Sequence, residues 1–310
     1  MFKSKHQTLL TKLGAVLEER SKVASLFKGY ARLKEANHIS RHFSSYFDPI
    51  IAASEAQRKE VFRVRHEVYC EELKFEPLKE NRLEFDEFDS YSIHCLLQQR
   101  NSKHSAGVVR MVRPVRSEQV LPIEKYCLDS ITRKDLDPSQ FRREDICEIS
   151  RLAIPKSFRR RSLDKFNGAG VGAINQRSYS EIEVRCFPFI SVGLYLAAAA
   201  LTIEEDIQHT YVMMEPQLAR SMRFVGIKFD QIGPVVEYHG KRAPYYINLN
   251  LLTKSLRPGF AKMLADILRS IEKQCCKVHV PAHSDHPFRF NPITDFGLIR
   301  SPISELSDQK

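Results

Sequence analysis

A chain of 310 residues, 43% of them hydrophobic, fills one sizeable core with segments to spare at either end. No run reaches the ~18 uninterrupted apolar residues of a membrane span, and the basic residues 1–12 lack the apolar stretch and cleavage site of a secretory leader, so a cytoplasmic protein is expected. The net charge of +10 calls for an acidic partner; the lack of zinc-finger spacing or an RNA-recognition aromatic motif argues against nucleic acid and leaves an acidic protein or peripheral contact with an anionic membrane.

Residues 1–42 read as basic helix, with Leu9, Leu10, Leu13, Val16 and Leu17 at roughly helical spacing, and residues 1–46 as an extension packed on the domain. The texture changes at Phe47, where a domain over 47–256 begins. Glu55 to Glu71 reads as a helix with an apolar stripe of Val61, Val64, Val68 and Tyr69. Ser92–Gln98 and Gly107–Val112 read as strands joined by a polar turn, 114–143 as irregular, and Ile146–Ile154 as another strand. Residues 159–181, rich in Gly, Ser and Arg, read as loop. The apolar run Phe187–Ile203 reads as a buried helix. A strand at Thr210–Met214 and a short helix at Pro216–Val225, closed by Gly226, follow. Phe229–Tyr238 and Pro244–Leu251 read as the last strands, split by a turn at His239-Gly240-Lys241. In 257–310, a helix at Pro258–Lys273 precedes an aperiodic tail expected to be partly disordered. This order implies an α/β (α+β) domain with a mixed, mostly antiparallel central sheet flanked by helices.

Four segments stand out because charges interrupt core-like patterns. They are Arg65-His66-Glu67-Val68-Tyr69 with Phe75, Asp86-Glu87-Phe88-Asp89, Gly107-Val108-Val109-Arg110, and Glu148-Ile149-Ser150-Arg151. Alternation puts Glu148 and Ser150 on one face of their strand and Arg151 on the other. Because an unpaired buried charge is costly, Arg65, Arg110 and Arg151 are expected to pair with Asp86, Asp89 and Glu148. A purely structural role for such a cluster, holding loops by ion pairs, is the competing reading. His94 and His239 read as packed or surface histidines. The tail histidines His279, His283 and His286 close no site with cysteine or carboxylate, so neither metal nor bound cofactor is expected. The seven cysteines form no C-x-x-C pair, and most sit among apolar neighbours, as structural thiols do.

At these residues the chain resembles the acyl-homoserine-lactone synthase superfamily of GNAT-fold acyltransferases, and within it the N-acyl amino acid synthases and the exosortase-associated (PEP-CTERM system) acyltransferases. The family's arginine followed by two aromatics falls on Arg65, Tyr69 and Phe75, and its paired aspartates fall on Asp86 and Asp89. Its Gly-x-x-Arg arginine falls on Arg110 and its Glu-x-Ser-Arg strand on Glu148 and Arg151. The likeness runs in order over residues 50–155. It departs at Phe75, where the lactone synthases usually carry Trp; this chain has no Trp. The resemblance implies a GNAT-like fold and an N-acyltransferase in which Glu148 and Arg151 serve catalysis. Arg65, Tyr69, Phe75, Asp86, Asp89 and Arg110 would bind substrate.

Acyl transfer needs a donor for the developing oxyanion, expected from backbone N–H on the Glu-x-Ser-Arg strand, and a base for the amine, expected in Glu148. The apolar helix would line an acyl tunnel. Arg159-Arg160-Arg161 is present, but Gly168-Ala169-Gly170 lacks the spacing of a pyrophosphate-cradling turn, which favours an acyl carrier protein over acyl-coenzyme A as donor. Carrier proteins are acidic, and Lys156, Arg159, Arg160, Arg161, Lys165, Arg220 and Arg223 are candidates to dock one. The acceptor is expected to be a small amine, an amino acid in first reading. The alternatives are S-adenosylmethionine, giving an acyl-homoserine lactone, and a catalytically silent acyl-, membrane- or nucleic-acid-binding module.

Overall fold

The computed structural model describes residues 42–159 and 189–278; the expected N-terminal helices, Arg160, Arg161, Lys165, Gly168-Ala169-Gly170 and the tail histidines lie outside the described residues. Its centre is an open sheet of β1 (Phe47–Ile51), β2 (Ser92–Gln99), β3 (Ser105–Val112), β4 (Ile146–Ala153), β5 (His209–Met214), β6 (Asp230–Gln231), β7 (Val236–Glu237) and β8 (Lys241–Asn248). The strands run in the order β1-β2-β3-β4-β5-β8-β6, with β7 also paired to β8. Pairing is antiparallel except between β4 and β5, which run parallel and pair only at Ile146–Glu148 against His209–Tyr211. The helices are α1 (Glu55–His66), α2 (Pro122–Cys127), α3 (Ile190–Glu204), α4 (Pro216–Val225), α5 (Leu249–Ser255) and α6 (Pro258–Val278). The result is a mixed α/β fold, mostly antiparallel and flanked by helices, as the order of elements implied, and GNAT-like, as the resemblance implied.

Local sequence explains the elements that frame the site. Ser54 opens α1 with a capping box: its hydroxyl accepts the Gln57 N–H, and the Gln57 side chain accepts the Ser54 N–H. Val61 and Val64 then pack with Leu96, Val108 and Ala153 of the sheet. The expected extension of this helix is present as a π turn, Glu67–Glu72. α3 is apolar around almost its whole circumference and is buried accordingly. It shares a core with Cys95, Val109, Met111 and Ile149, and Gly107 lets it approach, since a Cβ there would lie 2.7 Å from Leu194 Cδ1. α6 packs on α3 and β1 and buries Phe260, Met263, Ile267 and Ile271. Phe43, in the helical residues 42–46, stacks on Phe47. The end of the N-terminal segment and the helix beyond residue 257 therefore share one core with the sheet.

Several expectations are corrected. β1 escaped notice because Pro49 sits in its middle; an edge strand tolerates that proline. The stretch 114–143 holds α2 and several 3-10 turns around a second apolar cluster that includes Leu121, Ile123, Ile131 and Tyr211. The strand expected over Phe229–Tyr238 shrinks to β6 and β7, with Gly233-Pro234 between them. The last strand starts at Lys241 rather than Pro244, so Lys241 belongs to β8 and not to the turn, and Arg242 lies within the strand. β8 ends at Asn248, whose side chain caps α5 by accepting the Leu251 N–H.

Candidate active site

Beyond Glu148 and Tyr211 no pairing joins β4 to β5. A cavity of about 400 Å³ lies where the strands part. Glu148 to Leu152 line it from β4, Val212 to Met214 from β5, Tyr195 from α3, and Leu218 and Ser221 from α4. Tyr69, Phe75, Glu76, Arg110, Pro122, Glu215, Gln217, Tyr238, His239 and Arg242 also line it. A narrower apolar slot shares Ile149, Tyr195 and Val212 with this cavity, and its other walls include Ala198 and Ala199 of α3 with Ile227, Phe229 and Leu252.

Behind the wall lies an ion network. Arg65 ends α1 fully buried; its Nε donates to Glu84 at 2.5 Å and its Nη1 to Asp89 at 2.7 Å. Arg110 Nη1 donates to Asp86 at 2.6 Å and to Asp89 at 2.9 Å, and its Nε donates to Ser150 Oγ at 3.1 Å. A 3-10 turn, Glu87–Tyr91, fixes both aspartates: Asp86 accepts the Phe88 N–H and Asp89 accepts the Asp86 N–H. Burial alone would push the Arg65 pKa down and the Asp89 pKa up. Their attraction more than reverses both, so the guanidinium stays charged and Asp89 sits well below the usual carboxylate range. His94 is packed beside them: burial pushes its imidazole down to about 4, and its ring meets Phe62 edge-on.

Arg151 joins this network, as the charge pattern implies, although alternation alone puts it on the face opposite Ser150. The β3–β4 register slips by one residue between the pairs Arg110↔Ser150 and Val108↔Ala153, and Arg151 takes φ +50°. This bulge turns its side chain toward Asp86 and Glu76, each 3.1 Å from Nη2, and Glu84 at 3.3 Å. The left-handed backbone costs about 1 kcal/mol. Those carboxylates and the Tyr69 ring, 5.5 Å from the guanidinium carbon, hold it there. Tyr69 is itself fixed by donating its hydroxyl to the Leu152 carbonyl at 2.8 Å.

Glu148 stands apart. It makes no ion pair with the three arginines, contrary to the sequence expectation; its Oε2 accepts the Ile123 N–H at the start of α2, at 2.7 Å. Burial pushes its carboxyl up to about 8, against the pull of that N–H and of Arg110. A carboxyl poised near neutrality and facing a cavity is suited to general acid–base work.

Of the residues the sequence singled out, Glu148, Arg151, Arg110, Tyr69 and Phe75 meet at the cavity. Arg65, Asp86 and Asp89 do not line it: Arg65 pairs with Glu84 and Asp89 behind the wall, Asp89 also pairs with Arg110, and Asp86 pairs with Arg110 and Arg151. Lys156 and Arg159 are exposed just after β4, Arg159 paired with Glu72, and Arg220 and Arg223 are exposed on α4 just after β5. Because β4 and β5 are parallel, both groups leave the sheet at the same end. His239, expected to be packed or on the surface, lines the cavity with φ +48° and its ring 5.6 Å from Phe75. Sequence reasoning missed Glu84, Tyr195, Tyr238 and Arg242. Glu84 lies in an aperiodic acidic loop that gives no sign of which carboxylate turns inward. Arg242 was hidden by the late start assigned to its strand.

The fold is GNAT-like. Residues 64–167, about a third of the chain, match the family model of the acetyltransferase (GNAT) domain, and the protein is by this domain an N-acyltransferase enzyme. No curated protein matches the chain. Among solved structures, TofI in a ternary complex with an inhibitor and MTA is similar at 15% identity, over 69% of this chain and 99% of that one, with a TM-score of 0.48. The N-acyl amino acid synthase FeeM, from uncultured soil microbes, is similar at 12% identity over 68% and 94%, TM-score 0.45. The coenzyme-A-dependent acyl-homoserine lactone synthase BjaI is similar at 13% identity over 72% and 89%, TM-score 0.47. Likeness at these identities does not extend to substrate.

Proposed function

We propose that the protein moves a fatty acyl group from an acyl-carrier-protein thioester to the amine of a small acceptor, an amino acid in first reading. Its place would be beside the N-acyl amino acid synthases and exosortase-associated acyltransferases that its motifs resemble. The observation that carries this reading is the parting of β4 and β5 over a cavity where a buried carboxyl adjoins an apolar slot.

In this reading the thioester carbonyl lies against the main chain of Ile149–Leu152, whose N–H groups stabilise the developing oxyanion. The acyl chain runs into the slot along α3, gaining roughly 0.8 kcal/mol per buried CH₂. Glu148 accepts a proton from the incoming ammonium. The freed amine attacks the thioester carbon, the C–S bond breaks, and the departing thiolate takes up the second proton that nitrogen sheds. Arg151 adds positive potential where negative charge develops, and Tyr69 and Phe75 close over the acceptor. Lys156, Arg159, Arg220 and Arg223 supply a basic rim for an acidic carrier.

The test is thiol release from acyl-carrier protein with and without a pool of amines, followed by mass spectrometry of lipid extracts from cells overproducing the chain. Amine-dependent release and a new N-acyl product are expected. Release that ignores amines altogether would sink the reading.

A further inference from the structure

Among the described residues three arginines line the cavity, and two of them are neutralised. Arg110 and Arg151 are held by Asp86, Asp89, Glu84 and Glu76. Arg242 is different: it is partly buried on β8 and makes no ion pair among the described residues. Its Nε is shut off from solvent and has no hydrogen-bond partner among the described residues. An interior donor left unpaired is costly, and a planar guanidinium with free N–H groups is suited to a carboxylate.

The surroundings say where such an anion would sit. Arg242 acts electrostatically on the hydroxyls of Tyr69 and Tyr195, both in the cavity wall. Glu148 lines the same cavity, so the proposed base and the guanidinium face one space.

We propose that Arg242 binds a carboxylate of the acceptor, which makes the acceptor an α-amino acid or another amine that bears a carboxylate. The proposal rests on reading this cavity as the N-acyl transfer site. The phosphate on the carrier's pantetheine arm is the other source of an anion, and the experiment separates the two.

The full-length protein is assayed for thiol release from an acyl-carrier thioester against a panel of amino acids, their carboxamides and their methyl esters. The wild type should use the acids in preference to both blocked forms. Arg242→Gln should raise KM for the acids about 10- to 100-fold, with a smaller change in kcat, and so close the gap between acid and amide. Arg242→Lys, which keeps the charge, should recover part of the difference. An acid preference that survives Arg242→Gln, or that the wild type never shows, overturns the proposal. So does a variant that raises KM for the donor alone, since the anion is then the donor's phosphate. If only amines without a carboxylate are acylated, the transferase stands and the Arg242 assignment falls. If no amine is acylated, calorimetric titration of the same acids without donor decides: binding lost in Arg242→Gln upholds the carboxylate site while the transferase fails, and no binding ends both.

Discussion

Glu148 shows how far burial alone sets the chemistry of one side chain. Its base form accumulates only as pH rises through about 8, so kcat/KM of the wild type should climb with pH up to that value. Glu148→Gln should flatten the climb and lower turnover about 100-fold. An unchanged pH–rate profile in the variant would remove Glu148 from the base role. The same raised pKa favours the fold below the ordinary carboxylate value of 4.5, and that contribution fades as pH rises from there through about 8. Asp89 has the opposite sign. Held ionised by Arg65 and Arg110, it stabilises the protein above the unfolded carboxylate value of 3.8, and this is lost as pH falls below it. Asp89→Asn leaves two buried guanidiniums short of charge and should cost about 3–5 kcal/mol in urea denaturation at neutral pH. The sequence named the arginines and aspartates of this network from charges that broke core-like patterns. It could not show that Arg65 and Asp89 stop short of the cavity, because burial depth depends on the loop that Glu84 anchors. It named Arg151 too, but alternation could not reveal the turn that brings it there, since a bulge leaves no mark on a sequence that lacks a glycine at the twisted position.

At the scale of elements, the helices were legible where caps and apolar period agreed. Gly226 ends α4 with φ +102°, and a Cβ there would lie 2.3 Å from the Ser255 carbonyl oxygen. Gly226→Ala should therefore cost about 2 kcal/mol or more, read as a fall in Tm, through strain at the turn and displacement of the backbone after α5. α3 was legible as a buried helix because nearly every side chain is apolar, yet that uniformity hides which of its faces borders the slot. Ala199 lies on that face. Ala199→Leu should shift the preferred acyl chain shorter by about three methylenes, checked by competition among carrier thioesters of graded length. A preference that stays put would place the acyl chain elsewhere. The stretch 114–143 was illegible for another reason: its short turns have no period, and only Tyr211, Ile146 and their neighbours across the sheet give its apolar residues a place to pack.

For the whole molecule, the excess of positive charge was plain from composition, but its use depends on topology. The parallel run of β4 and β5 gathers Lys156, Arg159, Arg220 and Arg223 at one end of the sheet, beside the cavity. Reversing Arg220 and Arg223 to Glu should raise KM for an acidic carrier about 10-fold at low salt, and the difference should shrink as salt is added. A salt-independent KM would count against docking there.

The sheet also has a joint in it. Four strands on one side and four on the other meet through a seam of three residues per strand, with α3 packed across the back. Within Ile149–Leu152 and Val212–Met214, the amides that point into the gap rather than toward β3 or β8 should exchange with solvent sooner than those in the rest of β4 and β5, and slow down when a donor analogue spans them. Thermal inactivation would then begin where substrate binds, and a preparation stored with that analogue should keep its activity longer than one stored alone.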